Sequence, residues 1–371
     1  MTLYRDAKKE EYNEFVDLAN YVFRLDFEQL LPKAFKPEYE TEKITKVAEN
    51  DGKLIAAVCV LPQTVKVGEY TLNSNYLGAV CVHPRHRSEG HMKALMNLYI
   101  DEMKGKYDLS VLGGRRQRYE YFGYTYGGVQ WEYTINIHNI RHALKDISAQ
   151  GIVFEVLSKD DERLEDVFLM NEKRKAYVCR DKDRMYDILT SYNHTPYAVV
   201  IDGKIGGYIL KSNSSNDVSE FVLDDYSGTK SVIKAYFEQF DVQKADIALP
   251  EYETQLHSQL VSFAECYRTI PCCMFNIFNF AKVIKAFLTL KNNTQPLSYG
   301  RFSAVMDGQP VTVTVDENGV NLAETAYKDA VVLDKLQAQN LLLTPYSRFN
   351  NIDVPNDWFP LPLFWYYVDC F

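Results

Sequence analysis

At 371 residues, 46% hydrophobic and 25% charged, the chain is long enough for more than one core and has the make-up of a folded protein rather than a disordered one. No apolar run reaches the roughly 18 residues of a membrane span, and a formal net charge of −9 argues against a general nucleic-acid binder, which is normally basic. The seven cysteines are irregularly spaced, without C-x-x-C, which speaks against a disulfide framework or a zinc site and for reduced thiols.

The opening MTLYRDAKKEEYNEF has no apolar stretch, so no secretory signal is expected and a cytoplasmic protein is. KKEEYNEFVDLANYVF sets Tyr12, Phe15, Leu18 and Val22 at helical spacing and predicts an amphipathic helix. ITKVAENDGKLIAAVCV reads as two strands about an Asp51-Gly52 turn. YLGAVCV (Tyr76–Val82) is a further apolar strand, followed by the basic loop HPRHRSEGHM and by a helix marked by Met92, Leu95, Met96, Tyr99 and Met103. DLSVLG (Asp108–Gly113) predicts the next strand, RQRYEYFG a helical turn ended by Gly123, and VQWEYTINI (Val129–Ile137) another strand.

The pattern then recurs. DERLEDVFLMNEKRKAY is helical, YAVVIDGKIGGYIL gives two strands about Asp202-Gly203, and SEFVLDDYSGTKSVIKAYFEQF gives strand, loop and helix. In this copy Asp224 and Asp225 stand where the first has its basic loop, so an anion site is expected only in the first. Short strands follow about Asp307-Gly308 and Asn318-Gly319, then the helix KDAVVLDKLQAQNLLL. The tail DWFPLPLFWYYVDCF is too apolar for a solvated terminus and is expected to pack down. Seams near 141–152 and 289–297 divide the chain into 1–145, 146–288 and 289–371.

The basic loop admits three chemistries. His83, His86 and His91 do not share a helix face, and no cysteine or carboxylate pair completes them at ligand spacing, so no metal is expected. GRRQRYEYFGY (Gly114–Tyr124) interleaves arginine with tyrosine as single-strand binders do, but two short clusters in an acidic chain make a poor nucleic-acid surface. The third chemistry uses position. Arg87-Ser88-Glu89-Gly90-His91-Met92 is R-x-x-G-x-M between a strand and a helix, where Gly90 permits a tight turn and the helix start offers free N–H groups to a pyrophosphate.

In that setting the chain resembles the GNAT N-acetyltransferases, whose acetyl-CoA loop has the form Q/R-x-x-G-x-G/A, and among them the enhanced intracellular survival (Eis) type aminoglycoside N-acetyltransferases. The matching stretches are VCVHPRHRSEGHMKALM (Val80–Met96), RYEYFGY (Arg118–Tyr124) and the acidic-x-Phe ending DCF. The resemblance implies an α+β chain: tandem GNAT-like mixed α/β domains, catalytic at 1–145 and degenerate at 146–288, then a sterol-carrier-protein-like α/β domain at 289–371 whose end reaches the active site. It implies acetyl-CoA as co-substrate, a cationic amine as acceptor, no membrane partner and a homo-hexamer.

Residue by residue, the resemblance implies that the backbone of Val80, Cys81 and Val82 pairs with the pantetheine arm. Arg87, Ser88, Glu89, Gly90, His91, Met92 and Lys93 would surround the pyrophosphate, and Gly114 and Arg115 would flank the thioester and adenine sides. Tyr119 matches the general acid, and the carboxylate of Phe371 the general base. Asp26, Glu28 and Asp369 would hold substrate ammonium groups. Ser88, Glu89, Met92 and Arg115 depart from the usual pattern; a carboxylate cannot help a phosphate, so Glu89 is expected to point away. Competing readings are a nucleophilic Cys81 thiol, acetylation of a peptide amine, and a lipid-binding scaffold with a vestigial CoA loop.

Overall fold

A computed structural model describes residues 1–345 and 352–371. Contacts gather into two compact units: Met1–Gly128 with Cys272–Leu363 and Cys370–Phe371, and Val129–Pro271 with Phe364–Asp369. Among the described residues no helix is long and apolar enough to cross a membrane.

The first unit opens with β1 (Leu3–Asp6), α1 (Tyr12–Phe23), β2 (Thr45–Asn50), β3 (Lys53–Val67), β4 (Tyr70–Val82), α2 (His91–Met103), β5 (Leu109–Leu112) and β6 (Thr125–Gly127). The predicted helix buries Tyr12, Phe15 and Leu18, three of the four residues at the predicted spacing. The β2–β3 turn uses Asp51 (φ 50°) and Gly52 (φ 75°), both left-handed as a two-residue hairpin of this twist requires. β4 starts at Tyr70, earlier than its apolar signature, because β3 pairs antiparallel with its whole length, polar residues included. β5 pairs with it in parallel from Ser74↔Leu109 to Tyr76↔Val111, so Leu77–Val82 run on past β5. Leu95 and Met96 of α2 pack on Val58, Val60, Leu77 and Leu112 beneath the sheet.

The sheet order is β1-β2-β3-β4-β5, then the strand Cys273–Ile277, then β6. Residues 272–288, assigned to the second domain from sequence, therefore belong to the first unit. All five residues of Cys273–Ile277 are buried, and a strand covered on both faces needs a neighbour on each edge, here β5 and β6. A separate four-stranded sheet runs Gly319–Ala323, Gln309–Asp316, Gly300–Met306, Val331–Leu333, with its tight turn at Asp307 (φ 50°) and Gly308 (φ 79°). The aromatic tail packs down as expected: Trp358, Phe359, Leu361 and Leu363 are buried, and the Trp358 indole donates to the Ser298 carbonyl at 2.9 Å.

The second unit has the sheet order Cys266–Ile270, Gln130–Asn136, Lys244–Pro250, Val218–Leu223, Lys204–Ser212, His194–Ile201, Ile152–Val156. A hairpin at Asp202-Gly203, the strand Val218–Leu223, the helix Thr229–Gln239 and a strand parallel to Val218–Leu223 repeat the sequence of elements from the β2–β3 turn to β5. Its interior holds an ion network. Arg180 donates to both oxygens of Glu220 at 2.9 Å and to both oxygens of Asp369 at 2.9 Å.

Candidate active site

The part of β4 that outruns β5 carries a bulge. Ala57 faces Cys81 and Cys59 faces Gly78, so Ala79 and Val80 together oppose Val58. Ala79 takes a left-handed φ of 48°, uncommon for a residue with a Cβ, and the extra residue bends the strand. Beyond it the side chains alternate. Val80 and Val82 line a cleft, whereas Cys81 is buried toward the core. Burial, with Cys59 nearby, pushes the Cys81 thiol up to about 12. At neutral pH that thiol is protonated and shielded, which removes the nucleophilic-cysteine reading.

The cleft is about 820 Å³ and is continued by Arg87, Ser88, Gly90, Met92, Lys93, Arg118 and Tyr121. Ser88 (φ 69°) and Gly90 (φ 89°) are both left-handed, and Gly90 is the N-cap of α2. Nothing lies within 4 Å of where a Cβ on Gly90 would be, so backbone conformation is what favours glycine there. No side chain caps α2, and the N–H groups of His91, Met92 and Lys93 have no acceptor within the helix. Met92 is half-buried and packs on the core beneath. The Lys93 ammonium stands 5.0 Å from the ring centre of Tyr121.

Glu89 turns to the histidines. Its Oε2 lies 3.0 Å from His91 Nε2 and 3.2 Å from His86 Nδ1, and these bonds, His91 first, lower its carboxyl pKa. The Tyr4 hydroxyl meets His91 Nδ1 at 2.9 Å. The spacing of the loop gave no carboxylate pair for the histidines, yet the single carboxylate Glu89, three residues after His86 and two before His91, is their partner.

Tyr119 ends the helical turn Arg116–Tyr119, and its ring lies across Gly114, where a Cβ would come 2.6 Å from ring carbon Cδ2. Gly114 thus supports Tyr119, while Arg115 is exposed. Burial raises the Tyr119 phenol, offset only in part by Arg118, so it is a proton donor at neutral pH. Its neighbours differ: Tyr124 is fully buried and bonded to Ser110 at 2.7 Å, and Tyr121 is 69% exposed.

Phe371 is buried, and its ring stacks on Phe35 at 5.5 Å and 7°. Its carbonyl carbon lies 2.8 Å from where a Cβ on Gly78 would be, one residue before the bulge. The buried Lys33 ammonium donates to the carbonyl of Cys370. Nothing in the sequence around Lys33, Phe35 or Gly78 signalled this cradle, since its contacts span most of the chain. Of the expected ammonium-binding carboxylates, Asp26 accepts from Gln29 N–H at 3.1 Å and Glu28 from the Tyr12 hydroxyl at 3.1 Å, both exposed. Asp369 is not available for that role: it is 3% exposed and bonded through both oxygens to Arg180.

Residues 3–127 match the acetyltransferase (GNAT) domain family. No curated protein matches the chain. Among solved structures, a GCN5-related N-acetyltransferase from Anabaena variabilis is similar over 100% of both chains, with a TM-score of 0.68 at 15% identity. Eis1 from Mycobacterium abscessus is similar over 98% of this chain and 99% of its own, with a TM-score of 0.65 at 13% identity. A protein of unknown function and probable N-acyltransferase from Enterococcus faecalis covers 92% of this chain and 89% of its own, with a TM-score of 0.65 at 19% identity. At these identities the likeness is one of fold. The segment that holds the bulged β4, the cleft loop and Tyr119 is an acetyltransferase domain of the GNAT class.

Proposed function

We propose that the chain transfers the acetyl group of acetyl-CoA to a primary amine of a polycationic small molecule of the aminoglycoside kind. In this reading it is an Eis-type enzyme whose chain runs through three successive segments, 1–145, 146–288 and 289–371, the last of them sterol-carrier-like, with residues 272–288 at the end of the second packed in the first unit. The observation that carries the reading is the chain's last residue packed on Gly78, beside the bulge at Ala79. A carboxylate at that point of β4 is where a base for the acceptor amine is needed.

The cleft's size and its arginine and lysine side chains fit a large anionic ligand. The backbone of Val80–Val82, past the end of β5, takes the pantetheine arm like an added strand. Gly90 and the start of α2 take the pyrophosphate. With Glu89 turned onto the histidines, Arg87 and Lys93 set the charge of the loop. The acceptor amine must be neutral to attack, and the Phe371 carboxylate takes its proton directly or through a water. As the new C–N bond forms and the C–S bond breaks, the Tyr119 phenol gives its proton to the departing sulfur. Backbone N–H at the bulge opposes the oxyanion. Transfer is direct, in a ternary complex, with no acyl-enzyme. Asp26 and Glu28, exposed beside α1, and the net charge of −9 favour a polycationic acceptor.

Calorimetric titration with acetyl-CoA, followed by a thiol-release assay over aminoglycosides, linear polyamines and lysine peptides, tests the proposal. Acetyl-CoA binding with release strongest on aminoglycosides is expected. No binding would leave a scaffold, and release confined to peptides would replace the acceptor class.

A further inference from the structure

The left-handed turns at Ser88 and Gly90 fold the loop so that three ligand-type side chains converge. His86 Nδ1 and His91 Nε2 lie 3.2 Å and 3.0 Å from the same oxygen of Glu89, and one ligand atom from each of the three residues lies within 4.8 Å of the others. In a tetrahedral zinc site with bonds of about 2.0–2.1 Å, neighbouring ligand atoms are about 3.3–3.4 Å apart. Two edges of the triangle are already near that length, and the His86 ring, 30% exposed, has solvent on the side from which the third edge would close.

His91 is the fixed corner. Its side chain is 5% exposed, and the Tyr4 hydroxyl engages its second ring nitrogen at 2.9 Å. A metal-binding histidine is oriented in this way, by a partner on the nitrogen that does not coordinate. With Nδ1–H donating to the Tyr4 oxygen, the Nε2 lone pair points to where Glu89 stands. Glu89 and His86 keep 50% and 30% side-chain exposure, which leaves an entry from solvent. Two imidazoles and one carboxylate with an open fourth position suit zinc and its first-row neighbours, not magnesium or calcium, which prefer all-oxygen shells.

The geometry assigns to His86, Glu89 and His91 a binding site for one divalent transition-metal ion of the zinc class. The fourth ligand is water or a group from the adjoining cleft, to which His86 and His91 also contribute. The assignment stands on the ligand atoms alone and does not depend on acetyl transfer, so it is tested without acetyl-CoA.

Protein stripped with a chelator is titrated with Co²⁺ and then with Zn²⁺. One equivalent of Co²⁺ should give the intense visible bands of a four-coordinate nitrogen and oxygen site, without a thiolate charge-transfer band, and Zn²⁺ should displace it. Glu89→Gln keeps the shape and hydrogen bonding of the loop but removes the anionic ligand. It should weaken Zn²⁺ binding by at least about tenfold, and His86→Asn should do the same, with circular dichroism unchanged. Absence of saturable Co²⁺ binding to the wild-type chain overturns the assignment. A thiolate band does so too, because the seven cysteines are free and Cys266 is exposed. Unchanged affinity in both variants also overturns it.

Discussion

Gly78→Ala places one methyl group where the chain end lies. Its Cβ would stand 2.8 Å from the Phe371 carbonyl carbon and 2.9 Å from ring carbon Cδ1. Carbon atoms in ordinary contact are about 3.5–4.0 Å apart, so the terminus must retreat by roughly 0.7–1 Å. It has little freedom to do so, because Phe371 is stacked on the fully buried Phe35 and the preceding carbonyl is tied to Lys33. Misplacing a catalytic group by about 1 Å costs on the order of 10²-fold in rate. The loop at Arg87–Lys93 is untouched by the methyl. The expected result is a kcat lowered about 10²-fold with acetyl-CoA affinity nearly unchanged, read by thiol release at saturating amine and by calorimetry. Overpacking of this kind costs about 1–3 kcal/mol of stability, so the assay runs well below the lowered unfolding temperature. Deletion of Phe371 should remove activity and leave the fold and acetyl-CoA binding intact. A folded Gly78→Ala enzyme with wild-type kcat would refute the role of the terminal carboxylate and leave an internal Asp or Glu as base.

Gly90→Asp should abolish calorimetric acetyl-CoA binding, since it puts a side chain at φ 89° and a negative charge at the pyrophosphate position. Tyr119→Phe should lower kcat by about 10²–10⁴-fold with acetyl-CoA affinity unchanged, while Tyr121→Phe turns over normally. Because burial raises the Tyr119 phenol, its alkaline limb in a kcat profile should lie above pH about 10, and that limb should vanish in the Phe variant. Glu220→Gln should destabilise the second unit by about 3–5 kcal/mol in urea unfolding, by leaving buried arginine charge unpaired. Burial works to raise the Glu220 carboxyl, but Arg174 and Arg180 outweigh it and hold the pKa well below the usual range. Its stability contribution is therefore complete above pH about 4.3 and is lost as pH falls further, a dependence the Gln variant should lack.

Local signals in the sequence were read where local physics decides the outcome. Asp51-Gly52, Asp202-Gly203 and Asp307-Gly308 each form turns with both residues left-handed, which Asp and Gly tolerate. R-x-x-G-x-M between a strand and a helix also depends on neighbours in the chain, and Gly90 caps α2 as that spacing requires. What stayed hidden depends on distant partners. Nothing local in the sequence marks Cys273–Ile277 as the buried strand that joins β5 and β6 of the first unit. Asp369 reads as a terminal acid beside a substrate, yet Arg180 claims it from 189 residues away. Glu89 lies inside the basic loop itself, and its role stays hidden for another reason. Its role follows from two left-handed residues, one of which, Ser88, is a type that rarely takes that conformation.

The two copies of the strand–loop–helix unit lead to a stoichiometry of one acetyl-CoA per chain. In the first copy the loop ends at a left-handed glycine, and the helix behind it has no side-chain cap. In the second, Gly228 before the helix Thr229–Gln239 has a right-handed φ of −78°. Asp225 accepts from the Ser227 N–H at 2.8 Å and from its hydroxyl at 2.6 Å, taking donors that an anion would need. Asp224 adds a second carboxylate at the mouth, 3.7 Å from Lys173. Charge alone therefore does not explain the loss. Changing Asp224 and Asp225 together to Asn removes the repulsion, but the asparagine side-chain oxygen still caps the turn, and no left-handed glycine is restored. The double variant should bind one acetyl-CoA per chain with wild-type affinity in a calorimetric titration. Two equivalents in the wild-type chain, or a second site appearing in the double variant, would mean that the backbone of the second loop is competent and that only its charge had closed it.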